Sequence, residues 1–169
     1  MSRSPVERAS RLLATGFGAG FLWPAPGTWG SLLGVALFIP FLAPLPWGWQ
    51  LAAGVTLTLL GTIAAEVAAS GLGGDDPSAV VVDEWAAMWL SMVALPGPMG
   101  WVWAFFLFRI FDIIKPFPAR DFEALHGGVG IMADDVVAAL YTQVSVRLMF
   151  AAAAYTQSGF LLALTGQGV

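Results

Sequence analysis

LLATGFGAGFLWPAPGTWGSLLGVALFIPFLAPLPWGWQLAAGVTLTLLGTIAA, Leu12 to Ala65, holds no charged residue. A membrane-crossing helix needs about 20 apolar residues, so the stretch is long enough for two crossings. A soluble fold of this size cannot hide so much apolar surface, whereas a bilayer acts as its solvent. The rest of the chain agrees. Of its 169 residues 58% are hydrophobic and 11% charged, against about 25% charged in soluble domains. One membrane-embedded domain over residues 1–169 is expected.

Within the stretch, Gly16–Gly30 is too rich in Gly and Pro for a regular span and reads as an irregular or re-entrant loop packed against protein. A first span is expected over residues 31–45. Pro44, Pro46 and Gly48 then make a turn, with Trp47 and Trp49 as interface anchors. A second span follows over 50–69, where Gly61, Ala65 and Ala69 recur every four residues and admit a close neighbour. Upstream, Ser4, Pro5 and Glu7 have the spacing of a helix cap, and residues 4–14 suit an interfacial helix. Downstream come a polar loop (70–78), a span over 79–95, the Pro96-Gly97-Pro98 break, and a span over 99–114 ending before Pro116. Residues 115–135 read as the longest polar connection. A last span starts after Asp134-Asp135, and 159–165 either completes it or lies in the interface. The expected fold is all-α: a polytopic bundle of about four to five spans.

No cysteine is present, which excludes disulfides, thiolate catalysis and Cys-based zinc sites. The net charge of −4 and the lack of a basic tract exclude nucleic acid as an expected partner. No cleavage pattern follows Arg3, Arg8 and Arg11, so the first hydrophobic segment is expected to remain. These arginines, with Lys115 and Arg120, place the N-terminus, the 70–78 loop and the 115–135 connection in the cytoplasm by the positive-inside rule.

On that topology Asp75, Asp76, Asp83, Glu84, Asp112, Asp134 and Asp135 collect at the cytoplasmic ends of the spans, with Glu66 one turn away. Charges at membrane depth are costly and usually pair or bind ions. Arg109 and Lys115 are too few to neutralise them, and a hard divalent cation such as magnesium fits an oxygen-rich set. Singly, each acid has a structural reading: Asp134 as an N-cap, Arg109 and Asp112 as a helical ion pair, Asp75 and Asp76 as solvated loop residues. Asp112 and Lys115 stand three apart, the carboxylate suited to metal and the ammonium to phosphate, or to each other. Gly127 and Gly128 expose backbone N–H groups suited to phosphate beside His126, the only histidine and a candidate proton donor; such a turn is also common as a plain turn. PAPGTWGS, Pro24 to Ser31, is either a structural corner or the mouth of a lipid head-group site, its Thr28 and Ser31 hydroxyls set for phosphate.

The blocks Gly16-Phe17-Gly18, Ala25 to Ser31, Val82-Asp83-Glu84, Phe108 to Pro116 and His126 to Asp135 resemble, in order, the signature blocks of the phosphatidylglycerophosphatase A family. The resemblance implies a magnesium-dependent enzyme of the bacterial inner membrane, active site facing the cytoplasm. It implies hydrolysis of phosphatidylglycerol phosphate to phosphatidylglycerol and phosphate. Carried over by position, Asp83, Glu84, Asp112, Asp134 and Asp135 are the metal and catalytic acids. Asp76 joins them as a metal ligand. Arg109, Lys115 and His126 address phosphate, His126 also as acid. The chain departs from the pattern where Gly73-Gly74-Asp75 lacks a His, and Arg147 falls midway along the last span, where an apolar residue is expected. A cation- or proton-coupled transporter is the alternative, and would place acids near the midplane. A homo-oligomer is left open.

Overall fold

The computed structural model describes residues 4–72, 77–123 and 125–165, so Asp75 and Asp76 lie outside the described residues. Among these the chain is all-helical: α1 (Pro5–Ala14), a 3-10 segment (Gly16–Phe21), α2 (Pro26–Phe41), α3 (Trp47–Leu72), α4 (Val82–Met92), α5 (Gly97–Ile114), α6 (Ala119–Glu123) and α7 (Gly127–Thr165). Three helices are long and apolar enough to cross a membrane, Trp47–Gly71, Gly97–Ile114 and Gly127–Gln157, and Pro26–Phe41 is a shorter apolar one. The expected four to five spans thus correspond to three long helices and two shorter ones.

Local chemistry sets the boundaries. Ser4 and Glu7 form the expected capping box, the Glu7 N–H donating to Ser4 Oγ at 3.2 Å and the Ser4 N–H to Glu7 Oε2 at 3.0 Å. Phe17 and Gly18 take φ of 55° and 97°, which breaks the chain between α1 and α2. The irregular stretch is shorter than expected, because Pro26 opens α2. Proline at the first helical position has no N–H to leave unsatisfied. Thr28 therefore stands on a helix and not in the loop, and Ser31 lies in its second turn and not at its start.

Two expectations need correction. The last helix begins at Gly127, not after Asp135. Asp134 and Asp135 sit about two turns inside it, so Asp134 is no N-cap, and the polar connection is correspondingly shorter. The helix then runs unbroken through 159–165. Second, α4 has 11 residues, about 16 Å of rise, roughly half of a 30 Å hydrocarbon core. It is a buried central helix and not a full span.

This short helix is the hub of the bundle. It packs against α2, α3, α5 and α7, and Val82, Trp85, Ala86, Ala87, Met88, Ser91 and Met92 are all buried. Small residues let its neighbours approach. Gly34 of α2 lies so close that a Cβ there would come within 2.9 Å of Met88 Cβ and 3.0 Å of the Trp85 carbonyl. Gly61, with Ala65 and Ala69 on the same stripe of α3, meets Val82 and Met132.

Backbone exposed by an early helix end must be satisfied by protein at membrane depth. Gln143 of α7 does this. Its Nε2 donates to the carbonyls of Leu90, Ser91 and Val93 at 2.9, 3.1 and 2.9 Å. Arg147 donates from Nε to Gln143 Oε1 at 3.0 Å and from Nη2 to the Val93 carbonyl at 3.3 Å. Gln50 Oε1 accepts from the Ala94 N–H at 2.9 Å. Arg147, unexpected in an apolar span, is thus part of the clamp on the α4–α5 turn. Gln143→Leu keeps the side-chain size but orphans buried carbonyls, at about 1–3 kcal/mol for such a group. The expected result is a lower thermal midpoint in detergent; an unchanged midpoint would show the clamp to be dispensable.

Candidate active site

A cavity of about 610 Å³ lies where α2, α4 and α7 begin and α5 ends. Its wall includes Ala25, Pro26 and Gly27 of the α2 entrance, Ser78 and Val80, then Asp83 and Glu84 of α4. Arg109, Asp112 and Lys115 join from the end of α5, His126 from just before α7, and Gly127, Asp134 and Asp135 from α7. The bundle therefore gathers five of its described carboxylates at one end of the helices, not at their middle.

Each functional side chain is placed by its helix. Asp83 and Glu84 occupy the first turn of α4, whose N-terminus has no side-chain cap. Acids there face the positive end of the helix dipole. Pro116 bars the continuation of α5, and Lys115 closes the helix in a left-handed conformation, φ 47°. The Lys115 side chain reaches Asp134 Oδ2 at 2.6 Å. Arg109 and Asp112, three apart on α5, pair at 2.7 Å. The Arg109–Asp112 ion pair that the spacing allows is formed, and Lys115, which could have paired with Asp112, pairs with Asp134.

Charge is unbalanced. Among the described residues, five carboxylates line the cavity against two cationic side chains, Arg109 and Lys115. Arg109 is drawn onto Asp112 and stands at the 4.0 Å limit from Glu84. Carboxylate oxygens of Asp83, Glu84 and Asp135 all lie within 4.8 Å of one another. Glu84 Oε2 and Asp135 Oδ2 are buried and accept no hydrogen bond, and Asp135 is 2% exposed. Orphaned buried anionic oxygens are costly. The distances are close to the span across one octahedral ion with ligands at about 2.1 Å. The donor set thus fits a hard divalent cation.

The residues named from sequence divide between the cavity wall and the packing around it. Asp134 and Asp112 line the cavity but are engaged by Lys115 and Arg109. Ser31 is fully buried, donating to the Gly27 carbonyl at 3.0 Å and accepting from Arg109 Nη1 at 3.4 Å, so it steadies Arg109 and does not face the cavity. Thr28 is half-buried and is not part of the wall. The Gly128 N–H donates to Glu66 Oε2 at 2.6 Å, which ties α7 to α3 and removes that N–H from phosphate binding. His126 is exposed at the cavity wall. Asp76 lies outside the described residues.

The 24–31 stretch, read from sequence as a corner or the mouth of a head-group site, contributes Ala25, Pro26 and Gly27 to the cavity wall; what the sequence reading lacked is that a helix starts there. Ala25 offers no side-chain cap and Pro26 has no N–H, so Gly27 carries the first N–H of α2 at the wall, at the positive end of the helix dipole. Pro26 was the available signal. Gly27 belongs there because a Cβ would run into Glu84 Oε1.

The profile of the phosphatidylglycerophosphatase A family matches residues 12–150. A Haemophilus influenzae protein named phosphatidylglycerophosphatase A is 43% identical over 152 residues, covering 85% of this chain and 93% of its own. An Escherichia coli protein of the same name is 38% identical over 143 residues, 81% of each. A Bacteroides thetaiotaomicron protein provisionally named phosphatidylinositol-3-phosphatase is 44% identical over 144 residues, 81% of this chain and 91% of its own. No solved structure matches the chain significantly.

The Lys115–Asp134 pair yields a stability test. Asp134 is nearly buried but the Lys115 side chain is 24% exposed, so removing the lysine costs less than the ~3–5 kcal/mol of a fully buried pair. Lys115→Met is therefore expected to lower stability in detergent, and Lys115→Met with Asp134→Asn to recover most of the loss. Equal stability of the single variant and the parent would show that the pair contributes nothing.

Proposed function

The chain belongs to the phosphatidylglycerophosphatase A family, and from that premise we propose that it hydrolyses phosphatidylglycerol phosphate to phosphatidylglycerol and inorganic phosphate, using magnesium at the cytoplasmic face of a bacterial inner membrane. The observation that carries this reading is the excess of carboxylates over cations in one cavity at the helix ends. A head group emerging from the bilayer reaches such a site while its acyl chains stay in lipid. The cytoplasmic assignment rests on Arg8 and Arg11 in α1 and on Lys115 and Arg120 after α5, all at the same end of the bundle.

Asp83, Glu84 and Asp135 would hold the ion. When bound, it would neutralise phosphate charge and make water a better nucleophile. The protein's own groups supply the rest. Arg109, oriented by Asp112 and Ser31, and Lys115, oriented by Asp134, offer positive charge to non-bridging oxygens. The N-terminus of α2 adds partial positive charge at the same wall. Asp112 and Asp134 are the carboxylates left to take a proton from the attacking water. As oxygen adds to phosphorus, the bond to the glycerol oxygen breaks, and His126 can protonate that leaving oxygen.

Phosphate release from phosphatidylglycerol phosphate by the purified protein tests this. Magnesium should be required, with activity lost in chelator and restored on adding the ion. Asp83→Asn, Glu84→Gln and Asp135→Asn should each reduce kcat by on the order of 10²–10³ while the protein still folds. Phosphatidylinositol 3-phosphate, the substrate that the Bacteroides relative's name points to, is the comparison lipid. Preference for it would replace the proposed substrate, and full activity in all three variants would remove the site assignment.

A further inference from the structure

A second cavity, of about 360 Å³, lies along the seam between α2 and α5. Leu32, Val35 and Ile39 face it from α2, and Val102, Phe105 and Phe106 from α5. No polar side chain lines it. Leu32, Ile39, Val102 and Phe106 are exposed to the surroundings of the bundle, which in a membrane are lipid. The groove exists because α2 packs mainly on α4 and meets α5 only lightly.

The groove shares both its walls with the charged cavity. On α2, Leu32 follows the cavity residue Gly27 by five positions, and on α5, Phe106 precedes Arg109 by three. At 1.5 Å per residue these steps are about 8 Å and 5 Å. From Pro98 to Phe106 the α5 wall extends about 12 Å, most of one leaflet of a roughly 30 Å core. The outer face of α3, by contrast, carries Leu59 and Ile63 at 63% and 64% exposure and lines none of the cavities described above.

We propose that the α2–α5 groove seats one acyl chain of the lipid whose phosphate head group occupies the charged cavity. This rests on the reading of the substrate as a diacyl phosphate lipid. The occupant must be an amphiphile, because a charged pocket and an apolar track follow one another along the same helix pair. Its polar end is then fixed by Arg109 and Lys115, and its chain direction by the groove. The groove, and not the polar pocket, sets how bulky or branched a chain is accepted.

The test uses the full chain in phosphatidylcholine nanodiscs and phosphatidylglycerol phosphate with a photoactivatable diazirine midway along one acyl chain. Labelled positions are mapped by mass spectrometry. Labelling should concentrate on Leu32, Val35, Val102 and Phe106 over Leu59 and Ile63. Excess unlabelled substrate should suppress it, as it would not suppress labelling by boundary lipid. Val35→Trp with Val102→Trp, which fills the groove from both of its walls, should reduce groove labelling about ten-fold, as expected for losing burial of a few methylenes. Leu59→Trp should leave groove labelling unchanged. Even labelling over α2, α3 and α5, or labelling indifferent to competitor, overturns the groove. Phosphate release with even labelling would retain the enzymatic reading and reject the groove. Localised, competable labelling without phosphate release would retain the groove and reject that reading.

Discussion

Repulsion among carboxylates held out of water is the constraint on which this structure turns. Among the described residues, Asp83, Glu84, Asp112, Asp134 and Asp135 converge on one cavity with Arg109 and Lys115 as its cationic side chains. Two of the acids are engaged by those cations at 2.7 and 2.6 Å. The oxygens of Asp83, Glu84 and Asp135 are left crowded together. Burial raises the cost of every uncompensated charge. The fold softens that cost by aiming the starts of α2, α4 and α7 at the same place, where helix dipoles are positive. The remainder calls for a cation, and the cation in turn suits a phosphate.

The bundle that creates this convergence is held together away from the site. α4 begins at the cavity and ends after 11 residues, so the chain turns back at depth between α4 and α5. Gln143, Arg147 and Gln50 satisfy the backbone of that turn. A long α7 thus does two jobs on one helix: its first turns present Asp134 and Asp135 to the cavity, and three turns later it clamps α4. Movement of α4 along α7 would shift Asp83 and Glu84 against Asp135, so the clamp also fixes the spacing of the carboxylates.

Much of this was legible in the sequence, and the misses have physical causes. Long uncharged runs gave the helical membrane class, because the bilayer leaves the chain few alternatives. The clustering of acids at one end followed from span direction alone. The start of α7 was misplaced because Gly127-Gly128-Val129-Gly130 reads as a loop by propensity; tertiary contacts overrode that. A Cβ at Gly128 would strike the Thr62 carbonyl, so glycine there serves helix packing against α3. The α4 segment looked like a span because its apolar residues continue to Leu95. Its early end depends on Gln143, 50 residues and more away in sequence, and no local pattern reports that. Ser31 looked like a phosphate ligand, but its hydroxyl turns inward to Arg109, a direction set by packing of α2 on α4.

The central claim, that this carboxylate cluster coexists only with a bound divalent cation, is tested most directly by anomalous diffraction from crystals of the protein grown with manganese, a spectroscopically distinct substitute with the same oxygen preference. The account predicts an anomalous peak within coordination distance of Asp83, Glu84 and Asp135. It would be contradicted by a map with no peak among these residues, above all if Arg109 or Lys115 were seen swung across to neutralise them.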